Sequence, residues 1–583
     1  MAMKKLTGAE IFLRVLKDQG VKVIFGYPGG VTLSLYDEIY KQNRLRHVLT
    51  RHEQAAVHAA EGYARSTGKP GVVLVTSGPG ATNTVTGLTD ALMDSIPIVC
   101  IAGQVPTPLI GNDAFQEADT TGITRSCTKH NNLVRDVDHL ARVLHEAFYI
   151  ATHGRPGPVM IDLPKDVVIA RGPYVGPEKI RIKSYQPKVE GDIGLIKRAV
   201  KLMAEARQPI IYAGGGVINA GPAASAFLKQ LVHTTGFPCT LTLMGLGALP
   251  ASDKHFLGMP GMHGTYEANL AMHHCDVMLN VGARFDDRVT SNLDGFAPKA
   301  KKIHIDIDPS SINKNVLVDI AIVGDAGLVL GDMIKAWKST RSNGKSLKRW
   351  WKKINGWQAK KCLSYGNNGK LTKPQYVLQR LQAEIKDRDV YVTTDVGQHQ
   401  MWTAQYIQFE KPNRLMTSGG LGTMGYGLPA AIGVQIAHPE ALVVVVTSEG
   451  SLQMNLQELA TVGQYRLPIK ILVLNNGYMG MVRQWQELFY GKRYSETRYQ
   501  GQPDFVKLAE AYGALGLQAE RPDQVDGLIK KMLAHDGAVL TNFQVDPTEN
   551  VFPMIAAGSP HHEMILGSQE PDLEEPGKDV VLA

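Results

Sequence analysis

VVVVTSEGSLQMN, residues 443–455, places four consecutive valines before Ser448-Glu449-Gly450. A run of β-branched apolar residues is typical of a strand that is buried on both faces of a parallel sheet. In open α/β sheets, ligands bind at the carboxyl ends of such strands, so Glu449 lies where a ligand is expected. One Glu-Gly pair by itself would favour a plain surface turn, and the choice depends on the rest of the chain.

Similar strands recur along the chain in three blocks, each alternating with amphipathic helical stretches. The strand candidates are VKVIFGYPGG, GVVLVTSGPG, PIVCIAGQ and GPVMIDLP in the first block, PIIYAGGGV, DVMLNVGARF, KKIHIDIDP and AIVGDAG in the second, and DVYVTTDVGQ, ALVVVVTSEG, PIKILVLNNG and AVLTNFQVD in the third. This alternation predicts an α/β fold with three doubly wound parallel-sheet domains, at residues 1–185, 190–340 and 371–555. A basic connector (341–370) and a polar C-terminal tail (556–583) complete the predicted organisation.

The composition is that of an ordinary globular protein, with 44% hydrophobic and 20% charged residues among 583. No apolar run approaches the roughly 18 residues of a membrane-spanning helix, and the amino terminus has no secretory or transit-peptide pattern. The five cysteines have neither metal-site spacing nor the even count of a disulfide framework. We therefore expect a cytoplasmic protein with reduced thiols and no membrane association.

A basic stretch occupies residues 338–361, where nine Lys or Arg residues and no acidic residue surround Trp350, Trp351 and Trp357. Cations interleaved with aromatic residues are one signature of nucleic-acid binding. A solvated basic helix that joins two domains and is docked by its tryptophans explains the same pattern. We prefer the helix and expect no nucleic-acid partner, because the charge of the rest of the chain is nearly balanced.

A second polar strand end follows Glu449 along the chain. Asn476 ends the strand ILVLNN, 27 residues after Glu449. Carboxylate and amide oxygens on neighbouring parallel strands suit Mg²⁺ or Ca²⁺, which readily bridges to a diphosphate. A helix over SLQMNLQELATV (451–462) is expected to direct its first amides at the same place. The carboxylate would then hold the metal, and the metal would hold the diphosphate.

The acidic turn followed by Asn-Asn at this spacing resembles the metal–diphosphate motif of thiamine diphosphate enzymes. That family usually has Gly-Asp-Gly where this chain has Ser448-Glu449-Gly450, so the acid is one methylene longer. Charge and ligand type are unchanged. The resemblance therefore implies that Glu449, Asn476 and the Tyr478 backbone carbonyl bind Mg²⁺.

RHEQAAVHAAEGYARSTG, residues 51–68, resembles the family segment whose Glu contacts the aminopyrimidine ring of the cofactor. Glu53 opens the predicted helix, and by itself it would be interpreted as a surface carboxylate or an ion-pair partner. The resemblance implies instead that Glu53 bonds N1′ of that ring and favours the imino form, which removes the thiazolium C2 proton. TSGPGATN (76–83) resembles the rest of this pyrimidine site.

TTDVGQHQMW (393–402) and GGLGTMGYGLPAA (419–431) resemble the family segments around the diphosphate and between the two rings. In the family, a Met at the position of Met424 wedges the cofactor into a V shape, although simple core filling also explains this residue. The residues implied as thiamine diphosphate contacts are Glu53, Pro79, Asn83, Val396, Gly397, Gln398, His399, Gly422, Met424, Gly450, Ser451, Asn476, Gly480 and Met481.

Further stretches narrow the resemblance to catalytic subunits of the acetohydroxyacid synthase (acetolactate synthase) family. They are YPGG (27–30), GQVP (103–106), DAFQEAD (113–119), GRPGPVMIDLPKD (154–166), GMHGT (261–265), RFDDRV (284–289) and MVRQWQE (481–487). Any one of them is weak, and together they are specific. The resemblance implies decarboxylation of pyruvate and ligation of the two-carbon unit to pyruvate or 2-ketobutyrate, the first common step of branched-chain amino acid biosynthesis.

Roles for individual residues follow from the same resemblance. The residues implied as catalytic are Glu53, Gly30, Gln116 and Lys165. The Gly30 amide and Gln116 would stabilise the developing oxyanion. The second-substrate pocket and its access channel are implied to be shaped by Lys165 together with Phe115, Met262, Arg288 and Trp485. Without the resemblance, Arg288 would be interpreted as part of a surface salt bridge and Trp485 as an aromatic core residue.

The middle block holds FAD in this family, with no redox task implied. AGGGV after a strand is a weak dinucleotide signal alone, whereas RFDDRV is a pattern that the flavin-free catabolic relatives lack. The residues implied as FAD contacts are Arg155, Gly214, Gly215, Gly216, Thr242, Leu243, Met244, Gly261, Met262, His263, Gly282, Ala283, Arg284, Asp286, Arg288, Asp306, Ile307 and Asp325.

The resemblance also implies a homodimer or tetramer with the active site between chains, and a small regulatory subunit as a further partner. The alternative within the superfamily is another thiamine diphosphate enzyme, such as a pyruvate oxidase or a glyoxylate carboligase. RFDDRV and Trp485 argue against it, and that carboligase would be expected to have Val in place of Glu53.

Overall fold

The computed structural model describes residues 5–177, 180–338, 340, 343–366 and 369–567, and these form three parallel sheets with helices around them. The predicted fold class is confirmed. Residues 443–446 are fully buried in the third sheet, as their β-branched sequence predicts. No helix in this described part of the chain is long and apolar enough to cross a membrane.

The first domain is a six-stranded parallel sheet with a small antiparallel strand pair beside it. Its strands are β1 (Lys5–Thr7), β2 (Val23–Gly26), β3 (Arg46–Leu49), β4 (Gly71–Val75), β5 (Ile98–Gln104), β6 (His130–Leu133), β7 (Val159–Pro164) and β8 (Arg171–Pro173). Its helices are α1 (Gly8–Asp18), α2 (Leu33–Tyr40), α3 (Glu53–Thr67), α4 (Pro79–Thr82), α5 (Val85–Asp94), α6 (Thr120–Thr124), α7 (Val137–Thr152) and α8 (Lys165–Ile169). The sheet order is β3-β2-β4-β5-β7-β6, and β1 pairs with β8.

The middle domain has five parallel strands. They are β9 (Pro209–Ala213), β10 (Cys239–Leu241), β11 (Val277–Val281), β12 (Lys301–Asp306) and β13 (Ile320–Val323), in the order β10-β9-β11-β12-β13. The helices of this domain are α9 (Ile193–Glu205), α10 (Gly215–Asn219), α11 (Pro222–Thr235), α12 (Tyr266–His274), α13 (Asp287–Thr290) and α14 (Ala326–Trp337).

The basic connector forms a helix, α15 (Gly344–Gln358), that packs on the middle domain. Trp350 is 1% exposed and donates its indole N–H to the Pro209 carbonyl at 3.0 Å. Trp351 donates to the Gly236 carbonyl at 2.8 Å. These tryptophans dock the helix, as the preferred interpretation predicts. Residues 341, 342, 367 and 368 of the predicted connector lie outside the described residues.

The third domain repeats the six-stranded parallel arrangement. Its strands are β14 (Val390–Thr394), β15 (Leu415–Met416), β16 (Leu442–Thr447), β17 (Lys470–Asn475), β18 (Leu515–Ala519) and β19 (Val539–Gln544), followed by the short pair β20 (Met554–Ile555) and β21 (Met564–Ile565). Its helices are α16 (Pro374–Ile385), α17 (Gln398–Tyr406), α18 (Gly427–Ala437), α19 (Glu449–Leu452), α20 (Leu459–Tyr465), α21 (Gly480–Phe489), α22 (Phe505–Ala511) and α23 (Val525–Ala534). The sheet order is β15-β14-β16-β17-β19-β18.

The single helix predicted over residues 451–462 is wrong. Helix α19 already starts at Glu449 and ends at Leu452, and α20 starts only at Leu459. Between them, Asn455 has φ −136° and ψ 31°, and its side-chain amide donates to the Gly425 carbonyl at 2.8 Å. A side chain bonded away from the helix interrupts it here, because Asn readily offers the backbone a non-helical alternative.

The first and third domains meet where α3 crosses α18. A Cβ atom at Gly62 would lie 2.7 Å from the Ala430 carbonyl carbon and closer to its oxygen, and one at Gly433 would collide with the backbone of Ala59. The two helix backbones therefore touch at a distance that only glycine allows.

The described part of the predicted tail, 556–567, lies against the middle domain. The Asn292 side chain donates to the Gly558 carbonyl at 3.0 Å, and His561 Nε2 lies 2.5 Å from the Val289 carbonyl. Met564 and Ile565 form β21, which pairs with β20. The remaining tail residues, 568–583, lie outside the described residues.

Candidate active site

Most of the predicted site residues lie at or beyond the carboxyl ends of strands, and Arg155, which precedes β7, is an exception. In the third domain, Val396 follows β14, Gly422 follows β15, Glu449 follows β16 and Asn476 follows β17. The same holds in the other two domains for Gly30, Glu53, Pro79, Gln116, Lys165, Gly214, Thr242, Gly282 and Asp325, and Asp306 is the last residue of β12. Because parallel strands end at one edge, each sheet gathers residues that are distant in sequence.

Glu53, Pro79 and Asn83 lie together at the edge of the first sheet. Glu53 is the first residue of α3, and the His52 side chain caps this helix by accepting from the Gln54 amide at 3.1 Å. The Asn83 side chain donates to Glu53 Oε2 at 3.0 Å. Pro79 begins α4 and Asn83 follows its end, so the short helix carries the amide to the carboxylate. The arrangement fixes one oxygen of Glu53.

The other predicted catalytic residues of the first domain occupy neighbouring loops. Gln116 has φ +58°, and a Cβ at Gly78 would lie 2.8 Å from its carbonyl oxygen, so this loop touches the turn before Pro79. Phe115 is 88% exposed, and Lys165, the first residue of α8, is exposed as well. The structure therefore brings Gln116 close to the turn before Pro79 and leaves Phe115 and Lys165 on the surface of this chain.

Glu449 and Asn476 converge as the sequence predicts. Glu449 is fully buried, and the Tyr478 amide lies 3.0 Å from both Glu449 Oε1 and Asn476 Oδ1. The second carboxylate oxygen of Glu449, Oε2, is buried without a hydrogen-bond partner among the described residues. Burial raises the pKa of Glu449 to about 7. A buried carboxylate oxygen with no donor is suited to a cation, which would supply the missing partner.

The predicted diphosphate contacts from three strand ends are linked to each other. Gln398 accepts from the Asn476 side chain at 3.2 Å and donates to Gln484 at 3.0 Å. The Ser451 hydroxyl donates to the Val396 carbonyl at 3.2 Å. His399 is buried, and burial lowers its pKa to about 3, so this imidazole is neutral.

A cavity of about 1270 Å³ extends among the three domains. Three of the predicted substrate-pocket residues, Met262, Arg288 and Trp485, line it. The predicted thiamine diphosphate contacts that line it are Val396, Gly397, Gly422, Met424 and Met481. Arg288 is 54% exposed and lies 3.5 Å from the neighbouring Asp287 carboxylate, so it combines a surface ion pair with a place on the cavity wall.

The wall formed mainly by the middle domain, with Arg155 from the first domain, has room for a large nucleotide. The predicted FAD contacts on it are Arg155, Gly215, Gly216, Thr242, Leu243, Met244, Met262, His263, Gly282, Ala283, Arg284, Asp286, Arg288, Asp306, Ile307 and Asp325. Gly214 and Gly261 adjoin this wall and do not line it. Arg155 and Arg284 also line the cavity, and guanidinium groups can pair with the oxygens of a pyrophosphate.

Sequence reasoning missed Asp94, which lines this cavity, and a buried pair on α3, His58 and Glu61. Asp94 accepts from the Gly419 and Gly420 amides at 2.8 and 2.7 Å, and burial raises its pKa. His58 Nδ1 lies 2.9 Å from the buried Glu61 carboxylate. A lone acid in an amphipathic helix gives no sequence signal, and only the crossing of the first and third domains buries these groups.

Comparison with known proteins agrees with this geometry. Three segments match domains of thiamine pyrophosphate enzymes: the N-terminal TPP binding domain at residues 6–123, the central domain at 196–333 and the C-terminal TPP binding domain at 395–543. The chain is 50% identical over 575 residues to the acetolactate synthase isozyme 3 large subunit of Escherichia coli (strain K12), covering 97% of this chain and 100% of the relative. It is 49% identical over 572 residues to the acetolactate synthase large subunit of Haemophilus influenzae, with 97% and 99% covered. The acetolactate synthase of Mycobacterium bovis is 48% identical over 572 residues, with 97% and 92% covered.

Proposed function

Because the chain belongs to the acetolactate synthase large-subunit family of thiamine pyrophosphate enzymes, we propose roles for its residues in the decarboxylation of pyruvate and the ligation of a second 2-ketoacid. It is a thiamine diphosphate-dependent acetolactate synthase. The observation that carries the assignment of roles is the convergence of Glu449 and Asn476, with one buried carboxylate oxygen left for a cation.

Mg²⁺ would be held by Glu449, Asn476 and the Tyr478 carbonyl, and would bridge to the cofactor diphosphate. All three are hard oxygen ligands, which is the set that Mg²⁺ prefers. Gly450, Ser451, Gln398 and His399 surround the diphosphate in this proposal. When bound, thiamine diphosphate supplies a carbanion that adds to a keto carbon, a task that no side chain can perform.

Glu53 would hold and exchange a proton at N1′ of the aminopyrimidine. Asn83 donates to one of its carboxylate oxygens at 3.0 Å, which orients the other oxygen for the ring. The Gly30 amide and Gln116 would donate to the developing oxyanion. FAD would occupy the wall that contains Arg155 and Arg284, in a structural role.

Arg288 and Trp485 would select the second substrate. Arg288 lines the cavity with its guanidinium partly exposed, and it can pair with the carboxylate of a 2-ketoacid. Trp485 lines the same cavity and presents an indole ring beside it, where the acceptor's alkyl chain would pack. The acceptors we propose are pyruvate and 2-ketobutyrate.

The proposal is tested by assaying acetolactate from pyruvate with thiamine diphosphate, Mg²⁺ and FAD present, and again with each one omitted. We expect acetolactate only when thiamine diphosphate and Mg²⁺ are present. Production of acetyl phosphate and hydrogen peroxide without acetolactate would instead assign the chain to the pyruvate oxidases.

Replacing Trp485 with Leu is expected to preserve acetolactate formation and to lower the preference for 2-ketobutyrate. The extra methyl of that acceptor loses its contact with the indole, a difference worth roughly 1–3 kcal/mol. Both products are measured in competition between the two acceptors. Phe489→Leu is the matched control, because its ring lies 5.2 Å from Trp485 and does not line the cavity. An unchanged product ratio in Trp485→Leu would contradict the assigned role.

A homodimer or tetramer with shared active sites is the proposed assembly. Glu53, Pro79 and Asn83 lie at the edge of the first sheet and do not line the cavity that Val396 and Met424 line. In a dimer, the sheet edge that carries Glu53 in one copy would face the sheet edge that carries Glu449 and Asn476 in the other copy. The relatives are named "large subunit", which implies a small subunit. We propose a small regulatory subunit as a partner of this chain as well.

Mixing a Glu53→Gln variant with a Glu449→Ala variant is expected to restore partial activity. Hybrid dimers would contain one site built from two intact halves. Activity is measured after subunit exchange has been verified with differently tagged chains, and each variant mixed with itself is the control. Absence of recovery in verified hybrids would place both residues in one chain's site.

A further inference from the structure

A chain segment outside the predicted motifs pairs with the metal loop. The Met479 amide donates to the Thr497 carbonyl at 2.8 Å, and the Tyr499 amide donates to the Gly477 carbonyl at 2.9 Å. Tyr478 and Arg498 form an antiparallel bridge between these two bonds. Residues 497–499 therefore follow the loop that contains Tyr478, and their position is fixed by its backbone.

This pairing lays Tyr499 over the acidic turn. A Cβ atom at Gly450 would lie 2.8 Å from Tyr499 Cζ and would collide with its hydroxyl oxygen. The ring is half-buried in this position. Burial raises the pKa of Tyr499, and the nearby Glu449 carboxylate raises it further. Tyr499 thus joins the two loops that carry the metal ligands, since its backbone is bonded to one and its ring rests on the other.

Glu449 needs more support than a shorter acid would. Its side chain has one more rotatable bond than Asp, and the Tyr478 amide donates to Oε1. The other oxygen has no donor among the described residues. Groups that contact a metal ligand commonly fix its orientation and tune the metal affinity.

We propose that Tyr499 is a positioning residue for the metal carboxylate: it caps Gly450 and holds the turn so that Glu449 reaches the cation shared with Asn476. Tyr499 contacts neither substrate nor the reacting atoms in this role. The inference rests on the proposed function, because that function assigns the cation to Glu449 and Asn476.

The test is a double-mutant cycle that measures cofactor binding and its dependence on Mg²⁺. Thiamine diphosphate binding is measured by calorimetry at a series of Mg²⁺ concentrations, without substrate, for wild type, Tyr499→Ala, Glu449→Asp and the double variant. Tyr499→Ala is expected to raise the Mg²⁺ concentration for half-saturation about tenfold, with kcat at saturating Mg²⁺ nearly unchanged. In the Glu449→Asp background the same substitution is expected to have a clearly smaller effect, because the shorter acid depends less on the cap.

Tyr494→Ala is the matched control, since Tyr494 belongs to the same stretch and is 43% exposed. Tyr499→Leu removes the ring and keeps an apolar side chain, and it serves if the Ala variant does not fold. Two results would overturn the inference. One is an unchanged Mg²⁺ concentration for half-saturation in both Tyr499 variants. The other is an equal shift of that concentration in the wild-type and Glu449→Asp backgrounds. A wild-type protein that binds no thiamine diphosphate at any Mg²⁺ concentration would instead overturn the proposed function.

Discussion

Glu53→Gln is expected to lower turnover by roughly 10²–10⁴-fold, the usual contribution of general acid–base catalysis. Gln has almost the same shape, and its carbonyl oxygen can still accept from Asn83, which now holds Glu53 at 3.0 Å. The variant should therefore bind thiamine diphosphate and Mg²⁺ normally. It lacks the carboxyl that exchanges a proton with N1′, so the chemical step fails while binding remains.

Calorimetry of cofactor binding and the acetolactate assay on the same preparation separate these two effects. Glu146→Gln is a suitable control, because Glu146 is an acid on α7 that pairs with Arg142 at the surface. Turnover like that of wild type in Glu53→Gln would remove Glu53 from the mechanism. Loss of cofactor binding would show that the residue acts through the structure of the site.

Glu449→Ala is the second large effect that we expect. Removing the carboxylate should weaken Mg²⁺ and thiamine diphosphate together, because the metal is the bridge to the diphosphate. A large excess of Mg²⁺ should partly restore activity, since Asn476 and the Tyr478 carbonyl remain. Binding isotherms at low and high Mg²⁺ measure this coupling. Independent losses of the two affinities would contradict it.

Glu449→Asp is the matched variant for this experiment. It restores the shorter acid in a site whose turn contains Ser448 in place of the usual Gly. We expect retained activity with an altered Mg²⁺ affinity. An ion seen bound to Asn476 with the Glu449 carboxylate directed away would overturn the interpretation of this turn, although the fold and the reaction would stand.

The sequence predicted the central strands and missed the marginal ones, for a physical reason. Central strands such as β16 are buried on both faces and consist of β-branched residues, which gives a clear pattern. The missed strand β6 reads HNNL, and β3 reads RHVL. β3 is an edge strand and β6 lies at the other edge, so neither needs a continuous apolar sequence.

The residues of the candidate site also fall into two groups, those that the local sequence predicts and those that it does not. Glu53, Glu449 and Asn476 lie in local motifs, and their neighbourhoods follow from the chain nearby. Asp94 and Tyr499 reach the site only through contacts with distant segments, at Gly419 and at Gly450. No short pattern encodes such contacts, because they depend on how two domains or two loops pack.

The crossing of α3 and α18 has a mechanical consequence. With Gly62 against the Ala430 carbonyl and Gly433 against Ala59, neither helix can slide or roll without driving one backbone into the other. The contact between the first and third domains therefore resists relative sliding, and we expect these two sheets of one chain to move together. Movements that admit substrate or release product are then expected in the loops at the sheet edges.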